Sequence, residues 1–186
     1  MGDPLVDRLR LKFPQLARRL EGQPHRATRS ELPFYRRHAL VTLTVEAPRL
    51  TRAYHYLDDG VELYALEAAG DVAAANARER LQVVPQHAEA YARFALLHGL
   101  GLQVVERPDQ LPWHPDAPAE RKEQAVRALR PLRLVISPEG GFEVTAVLNL
   151  RRDLVERRYR LTVDGVLERR AERVLVADIP IFPPNF

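Results

Sequence analysis

The chain has 186 residues, of which 46% are hydrophobic and 28% charged, with a formal net charge of +3. This composition is typical of one globular domain that buries a core, and no stretch approaches the roughly 20 apolar residues of a membrane span. Cysteine is absent, which excludes disulfides, thiolate metal sites and cysteine nucleophiles. We therefore expect a cytoplasmic protein that does not bind membranes.

Arginine dominates the basic residues. The chain has 28 lysines and arginines, and only Lys12 and Lys122 are lysine, so 26 are arginine. Arginine forks suit the recognition of phosphate and carboxylate groups. The arginines are spread along the chain, whereas a nucleic-acid-binding domain concentrates its charge, so we do not expect nucleic acid as the partner.

The N-terminal region predicts a helix followed by a linker. Apolar residues recur every three or four positions from Pro4 to Leu20, and Pro14 predicts a break in this helix. Residues 21–33 are polar, contain two prolines and predict a linker or mobile arm. We expect residues 1–37 to be peripheral and residues 38–186 to form the core of a single domain.

Periodicity and turn residues predict the elements in the middle of the chain. These are strands over 39–45, 52–57 and 61–66, helices over 71–80 and 86–98, a strand over 102–106 and a helix over 119–129. The helix over 86–98 has the clearest pattern, because its apolar residues share one face and Gly99 ends it.

Strands and turns alternate from Pro131 onward. The predicted strands cover 132–136, 142–150, 153–163 and 166–177. Asp164-Gly165 is typical of a two-residue hairpin loop. We predict an α+β fold with a curved, mainly antiparallel sheet of about six to eight strands packed against two to four helices.

The last predicted hairpin carries an arginine-rich face. A two-residue loop would place Arg160 opposite Arg169. The four arginines on that face are Arg158, Arg160, Arg169 and Arg173. Because like charges on facing strands destabilise the pair, this face either stays solvated or binds an anionic partner. An acidic protein surface and a phosphate-bearing ligand both fit the second interpretation.

A second candidate is the aromatic cluster of Tyr54, His55, Tyr56 and Tyr64. Alternation along a strand points Tyr54 and Tyr56 to one face and His55 to the other. These side chains could line a small-molecule pocket, with tyrosine hydroxyls as polar groups. The alternative is that they form the half-buried face of a sheet.

Two apolar segments stiffened by proline are candidate interfaces. They contain Trp113 in one segment and Phe182 and Phe186 in the C-terminal one. Each segment either covers the core of its own chain or docks onto a partner in an extended form.

Catalytic and metal-binding motifs are absent from the sequence. The six histidines include no HExxH and no pair four residues apart, so we expect no metal. The two serines, Ser30 and Ser137, lie in no nucleophile motif, and the chain has neither a phosphate loop nor a dinucleotide fingerprint. We therefore expect no cofactor and lean towards a non-catalytic protein.

Three functions stay open. The first is a protein-interaction or binding module, for which a homodimer is one arrangement. The second is a small-molecule-binding protein or enzyme with a pocket lined by Tyr, His and Glu. The third is a nucleic-acid-binding protein that uses the arginine-rich hairpin.

Overall fold

The computed structural model describes residues 4–20, 22–47, 50–66 and 70–182. In this part of the chain, eight strands form two open, four-stranded antiparallel sheets, accompanied by five α-helices. These elements confirm the predicted α+β fold with six to eight mainly antiparallel strands. The chain groups into two compact units, residues 1–80 and 81–186. The assignment of all 186 residues to a single domain stays a prediction.

The described part of the first unit forms three helices and one sheet. Its elements are α1 (Pro4–Lys12), α2 (Pro14–Leu20), β1 (His25–Glu31), β2 (Ala39–Ala47), β3 (Leu50–Asp58), β4 (Leu63–Ala65) and α3 (Asp71–Glu79). The strand order is β1-β2-β3-β4. The predicted break at Pro14 separates α1 from α2, because proline cannot continue the backbone hydrogen bonds of a helix.

The N-terminal helices form part of the core of the first unit and are not peripheral to it. Leu9 and Leu20 are buried with Leu43 and Tyr56 in one apolar cluster. The apolar stripe of α1 and α2 therefore covers one face of the sheet, and burying each leucine contributes about 1.5–3 kcal/mol.

Residues 25–31 form strand β1, although residues 21–33 are predicted to be a linker or mobile arm. β1 pairs with β2 along its whole length, from His25 opposite Val45 to Glu31 opposite Ala39. Most of its side chains are exposed. An edge strand gains its backbone hydrogen bonds from its neighbour, so polar composition does not prevent the strand from forming.

The turn between β3 and β4 is held by the side chain of Asp59. Its carboxylate accepts hydrogen bonds from the backbone N–H groups of Val61, at 2.9 Å, and Glu62, at 2.6 Å, and also pairs with Arg78. Burial raises the pKa of Asp59, but these hydrogen bonds outweigh that effect and lower it from 3.8 to about 2. The ionised carboxylate therefore stabilises the turn.

We expect the stabilisation by Asp59 to disappear as the pH falls from about 4 to about 2. A carboxylate whose pKa is lowered by folding contributes stability above its unfolded pKa and loses it as the pH falls through the folded value. Urea denaturation of the wild type and of Asp59→Asn, at steps from pH 5 to pH 2, should give free energies of unfolding that converge. A difference that is constant over this range would contradict the expectation.

The described residues of the second unit, 81–182, form two α-helices and the second sheet. Its elements are α4 (Ala88–Phe94), a π-helical turn (Ala95–Gly99), a 3-10 turn (Pro108–Gln110), α5 (Ala119–Ala128), β5 (Arg133–Ile136), β6 (Phe142–Leu150), β7 (Asp153–Leu161) and β8 (Leu167–Val176). The strand order is β5-β6-β7-β8. In place of the predicted strand over 102–106, Val104 forms an isolated bridge with Leu148.

The predicted register of the β7–β8 hairpin is wrong near its turn. The loop has three residues between Thr162 and Val166, whose backbones are hydrogen-bonded at 2.9 Å, and Gly165 has a φ of +87°. A left-handed glycine that ends a three-residue loop is a common hairpin geometry. The extra residue shifts the pairing by one, so Arg160 lies opposite Glu168 and not opposite Arg169.

A β-bulge in β8 restores the predicted register beyond the turn. The pairing shifts between Arg158 and Tyr159, with Arg170 as the additional residue of β8. From Arg158 opposite Ala171 the predicted pairs are confirmed. A bulge inserts one residue into one strand, so it compensates for the longer loop.

None of the helices in the described ranges combines the length and the apolar character needed to cross a bilayer.

Candidate functional site

The structure does not bring the four predicted arginines together on one face. Arg169 lies opposite Tyr159, and its guanidinium is 3.4 Å from Glu172. The neighbouring strand residues Arg158 and Arg160 point to the other face, because side chains alternate along a strand. The one-residue shift in register therefore removes Arg169 from the predicted cluster.

Two of the remaining arginines are paired with carboxylates. Arg160 contacts Glu139 at 3.1 Å and Arg173 contacts Glu156 at 3.3 Å. Arg158, by contrast, has no hydrogen-bond or ion-pair partner among the residues that the structure describes. Of the four arginines, Arg158 is therefore the one whose guanidinium group is unpaired in the described ranges.

Arg158 lines a groove of about 460 Å³ on one face of the second sheet, here called the arginine groove. Its lining residues include Arg130, Arg133, Val135, Glu143, Thr145, Glu156 and Arg158. The groove crosses β5, β6 and β7. Positions on three adjacent strands therefore define it.

Two unpaired arginines flank a threonine across these strands. Arg133 lies opposite Thr145, and Thr145 lies opposite Arg158. Adjacent strands are about 4.8 Å apart, so the backbones of the two arginines are separated by roughly 10 Å. Like Arg158, Arg133 is exposed and has no ion-pair partner in the described ranges. Arg133, Thr145 and Arg158 therefore form a row across three strands, with an unpaired arginine on each side of the threonine.

The carboxylates of the groove leave these two arginines uncompensated. The side chain of Glu156 is 11% exposed and is shared by Arg130, at 3.5 Å, and Arg173, at 3.3 Å. Glu143 lies opposite Arg160 on the adjacent strand. Neither of these two carboxylates forms an ion pair with Arg133 or Arg158 in the described ranges.

The groove opens onto an unpaired sheet edge. β5 is an end strand, and no strand in the described ranges pairs with its outer edge. Val135 and Ile136 are 46% and 65% exposed. Alternate residues of an edge strand direct their backbone N–H and C=O groups outward, so β5 can accept one more strand.

Arg133 and Thr145 are functional candidates that the sequence analysis missed. The signal that could have found them is the turn at Ser137 to Gly141, where the Ser137 N–H donates to the Gly141 carbonyl at 3.0 Å. This is again a three-residue loop that ends in a left-handed glycine, Gly140. Fixing that loop length fixes the register of β5 against β6 and places Arg133 opposite Thr145.

The aromatic cluster is divided between the two faces of the first sheet. Tyr54 and Tyr56 are 8% and 5% exposed and belong to the apolar core beneath α1 and α2. The rings of Phe13 and Tyr56 are 5.1 Å apart. These two tyrosines fill the core, as the alternative interpretation of the cluster expects.

The other two members of the cluster lie on the opposite face. His55 Nδ1 is 3.2 Å from the Thr42 hydroxyl group. Tyr64 lies opposite Leu57, and its ring is 5.7 Å from that of His38. Of the two glutamates nearest to Tyr64 in the sequence, Glu62 pairs with Lys12, and Glu67 lies outside the described residues.

The chain segments that contain Trp113 and Phe182 pair with each other. Trp113 makes a β-bridge with Ile181, and its indole N–H donates to the Pro108 carbonyl at 3.1 Å. The Phe182 ring is 3.9 Å from that of His114, and Phe182 is 47% exposed. Phe186 lies outside the described residues. The described part of the tail is thus held on its own unit.

Metal ligation and similarity to known proteins add no further site. Within the described part of the chain, no group of three or more histidine, aspartate or glutamate side chains could hold a metal ion. Comparison with family models, with curated proteins and with solved structures finds no match to this chain.

Proposed function

We propose that the protein is a non-catalytic interaction module whose arginine groove binds an extended, acidic segment of a partner protein. The observation that carries the proposal is the row of Arg133, Thr145 and Arg158 beside the unpaired edge of β5. The segment adds to β5 as a fifth strand, and its acidic side chains contact the two arginines.

Charge complementarity supports an acidic partner. Arg133 and Arg158 have no carboxylate partner in the described ranges, whereas the partly buried carboxylate of Glu156 is already paired with two arginines. Guanidinium groups bind carboxylates through charge-assisted, often bidentate hydrogen bonds. A partner segment that places carboxylates beside Arg133 and Arg158 can therefore form charge-assisted hydrogen bonds with both arginines.

Strand addition supports an extended partner. Every second side chain of an added strand lies on the same face of the sheet as Arg133. Acidic residues at alternate positions would therefore all face the groove, while the backbone of the segment bonds to β5. The exposed Val135 offers an apolar contact beside the arginines.

One alternative from the sequence analysis, a nucleic-acid-binding protein, receives less support. The lining of the groove carries three arginines and two glutamates, so its net charge is +1. The groove therefore resembles neither a nucleic-acid channel nor a basic stripe.

We also propose a cytoplasmic location, because the chain contains no cysteine.

A labelled peptide tests the proposal directly. The probe is a fluorescein-labelled peptide of ten residues in which valine and glutamate alternate, and binding to the full chain is measured by fluorescence anisotropy. We expect saturable binding that weakens by at least about tenfold in Arg133→Glu/Arg158→Glu, because both charge-assisted contacts become repulsive. A matched control is Arg107→Glu/Arg127→Glu, since both residues are at least 70% exposed in the same unit and the net charge changes equally.

Peptide chemistry separates strand addition from simple charge attraction. N-methylation at the odd or at the even positions removes alternate backbone donors, so we expect only one of these two peptides to lose binding. The valine–glutamine counterpart should bind more weakly than the glutamate peptide. The proposal fails if the wild type does not bind, if the control variant weakens equally, or if both methylated peptides bind like the parent.

A further inference from the structure

Strand β8 is the second open edge of the sheet that carries the arginine groove. It ends the strand order β5-β6-β7-β8, and its outer edge pairs with no strand among the described residues. Residues 168–174 are all exposed, on both faces of the sheet. Open edges pair readily with other strands unless charges or bulges block them. β8 has both features, so their positions decide whether the edge repels every strand or accepts a particular one.

The charges of β8 are complementary to themselves when the strand is reversed. Residues 168–173 read Glu-Arg-Arg-Ala-Glu-Arg. Antiparallel pairing of two copies about the midpoint of this segment places Glu168 opposite Arg173 of the other copy. It also places Arg169 opposite Glu172 of the other copy, and the two-fold axis repeats both pairs. Opposite charges on facing residues stabilise a strand pair.

The bulge at Arg170 gives this register matching side-chain faces. Glu168 and Arg173 lie opposite Arg160 and Glu156 of β7, which share a face because an even number of positions separates them. In a regular strand, residues an odd number of positions apart point to opposite faces, so Glu168 and Arg173 would not share one. The other charged pair shares the opposite face for the same reason.

The same register aligns the free backbone groups of the edge. The Thr162 N–H donates to the Val166 carbonyl at 2.9 Å, so Val166 directs its backbone groups to β7 and the next residue directs them outward. Alternation, corrected for the bulge, places these residues on the outer edge: Leu167, Arg169, Glu172 and Val174. Pairing about the midpoint brings Arg169 opposite Glu172 and Leu167 opposite Val174. Two copies can therefore exchange about eight backbone hydrogen bonds.

Ion pairs within the chain leave the charges of β8 available. Arg169 contacts Glu172 at 3.4 Å and Arg170 contacts Glu168 at 2.8 Å, and all of these side chains are at least 39% exposed. Exposed ion pairs contribute little to stability, and a guanidinium group has several N–H donors. Each arginine can therefore donate to a second carboxylate without giving up the first.

We propose that β8 pairs with β8 of a second copy of this chain, antiparallel and with residue 168 opposite residue 173. The two four-stranded sheets then form one continuous sheet across a two-fold axis. A single register satisfies the charges, the side-chain faces and the backbone groups. The pairing uses the edge formed by β8, whereas the proposed acidic segment uses the edge formed by β5, so each can be tested without the other.

Sedimentation velocity of the full chain tests the pairing. We expect a reversible monomer–dimer equilibrium with a Kd of about 1–100 µM, because one strand pair buries less area than a standard stable interface. Glu168→Arg places like charges opposite each other twice and should raise this Kd by at least about tenfold. The control Glu123→Arg makes the same charge change on α5, at a side chain that is 66% exposed, and should dimerise normally.

A charge swap tests the register itself. Glu168→Arg/Arg173→Glu has the net charge of the wild type and restores the pair in the opposite sense. We expect its Kd to return to within about threefold of the wild-type value. Far-UV circular dichroism checks that each variant is folded.

A proline variant tests the backbone contacts, and it decides the matter if the charge swap does not fold. Arg169→Pro removes an N–H that faces away from β7, so it should keep the folded spectrum and lose the dimer. The proposal is overturned by a wild type that stays monomeric at the highest concentration, or by a dimer that Arg169→Pro leaves intact. Equal weakening by Glu168→Arg and Glu123→Arg, or a folded charge swap as weak as Glu168→Arg, overturns it as well.

Discussion

Gly141→Ala should destabilise the second unit by about 2–5 kcal/mol. Gly141 has a φ of +75°, and an added Cβ would overlap the backbone carbonyl oxygen of Leu161 and lie 3.2 Å from Thr162 Cα. The strain of a left-handed alanine and the clash with β7 therefore add together. Urea denaturation followed by fluorescence measures the loss, because Trp113, the only tryptophan of the chain, reports on this unit.

Gly140→Ala is the matched control for this prediction. Gly140 has a φ of +84°, but an added Cβ would meet nothing within 4 Å. Only the backbone strain remains, so we expect a loss of about 1–2 kcal/mol. Equal losses of unfolding free energy for Gly140→Ala and Gly141→Ala would show that a Cβ at position 141 does not clash with β7.

Asp58→Asn should destabilise the first unit by about 2–3 kcal/mol. The Asp58 side chain is 0% exposed and accepts a bidentate pair from Arg8, at 2.9 and 3.2 Å, together with Arg29 and the Gly60 N–H. The asparagine amide has the same size as the carboxylate, but its NH2 group is a hydrogen-bond donor. It would face the donor groups of Arg8, Arg29 and Gly60. The arginines are 35% and 52% exposed, so water limits the cost.

The loss for Asp58→Asn can be measured by urea denaturation followed by far-UV circular dichroism. Asp7→Asn is the control, because Asp7 is 59% exposed and its pair with Arg10 spans 3.8 Å. We expect this variant to change stability by less than about 0.5 kcal/mol. If Asp58→Asn behaves like the control, the buried carboxylate does not hold α1 to the sheet.

Loop length explains why the arginine site was predicted only in part. Asp164-Gly165 marks the turn correctly, but the same residues fit a two-residue loop and a three-residue loop with a left-handed glycine. The choice moves Arg169 to the other face of the sheet while Arg158 stays on the groove. One residue of register therefore decides which arginines meet.

Long-range pairing explains why the buried contact between His38 and Glu79 was not predicted. His38 and Glu79 are 41 residues apart, and the two residues carry no motif that links them. Their contact requires α3 to return to the turn before β2. The same argument applies to Asp58 and Arg8, which are 50 residues apart.

The sequence by itself determined the elements: the break at Pro14, most helices, and the strands and turns after Pro131. Periodicity and turn residues encode these features through neighbouring positions. Only the tertiary structure decided the strand register and the burial of Asp58 and His38. Those properties depend on loop conformation and on residues distant in the chain, and local sequence patterns carry little information about either.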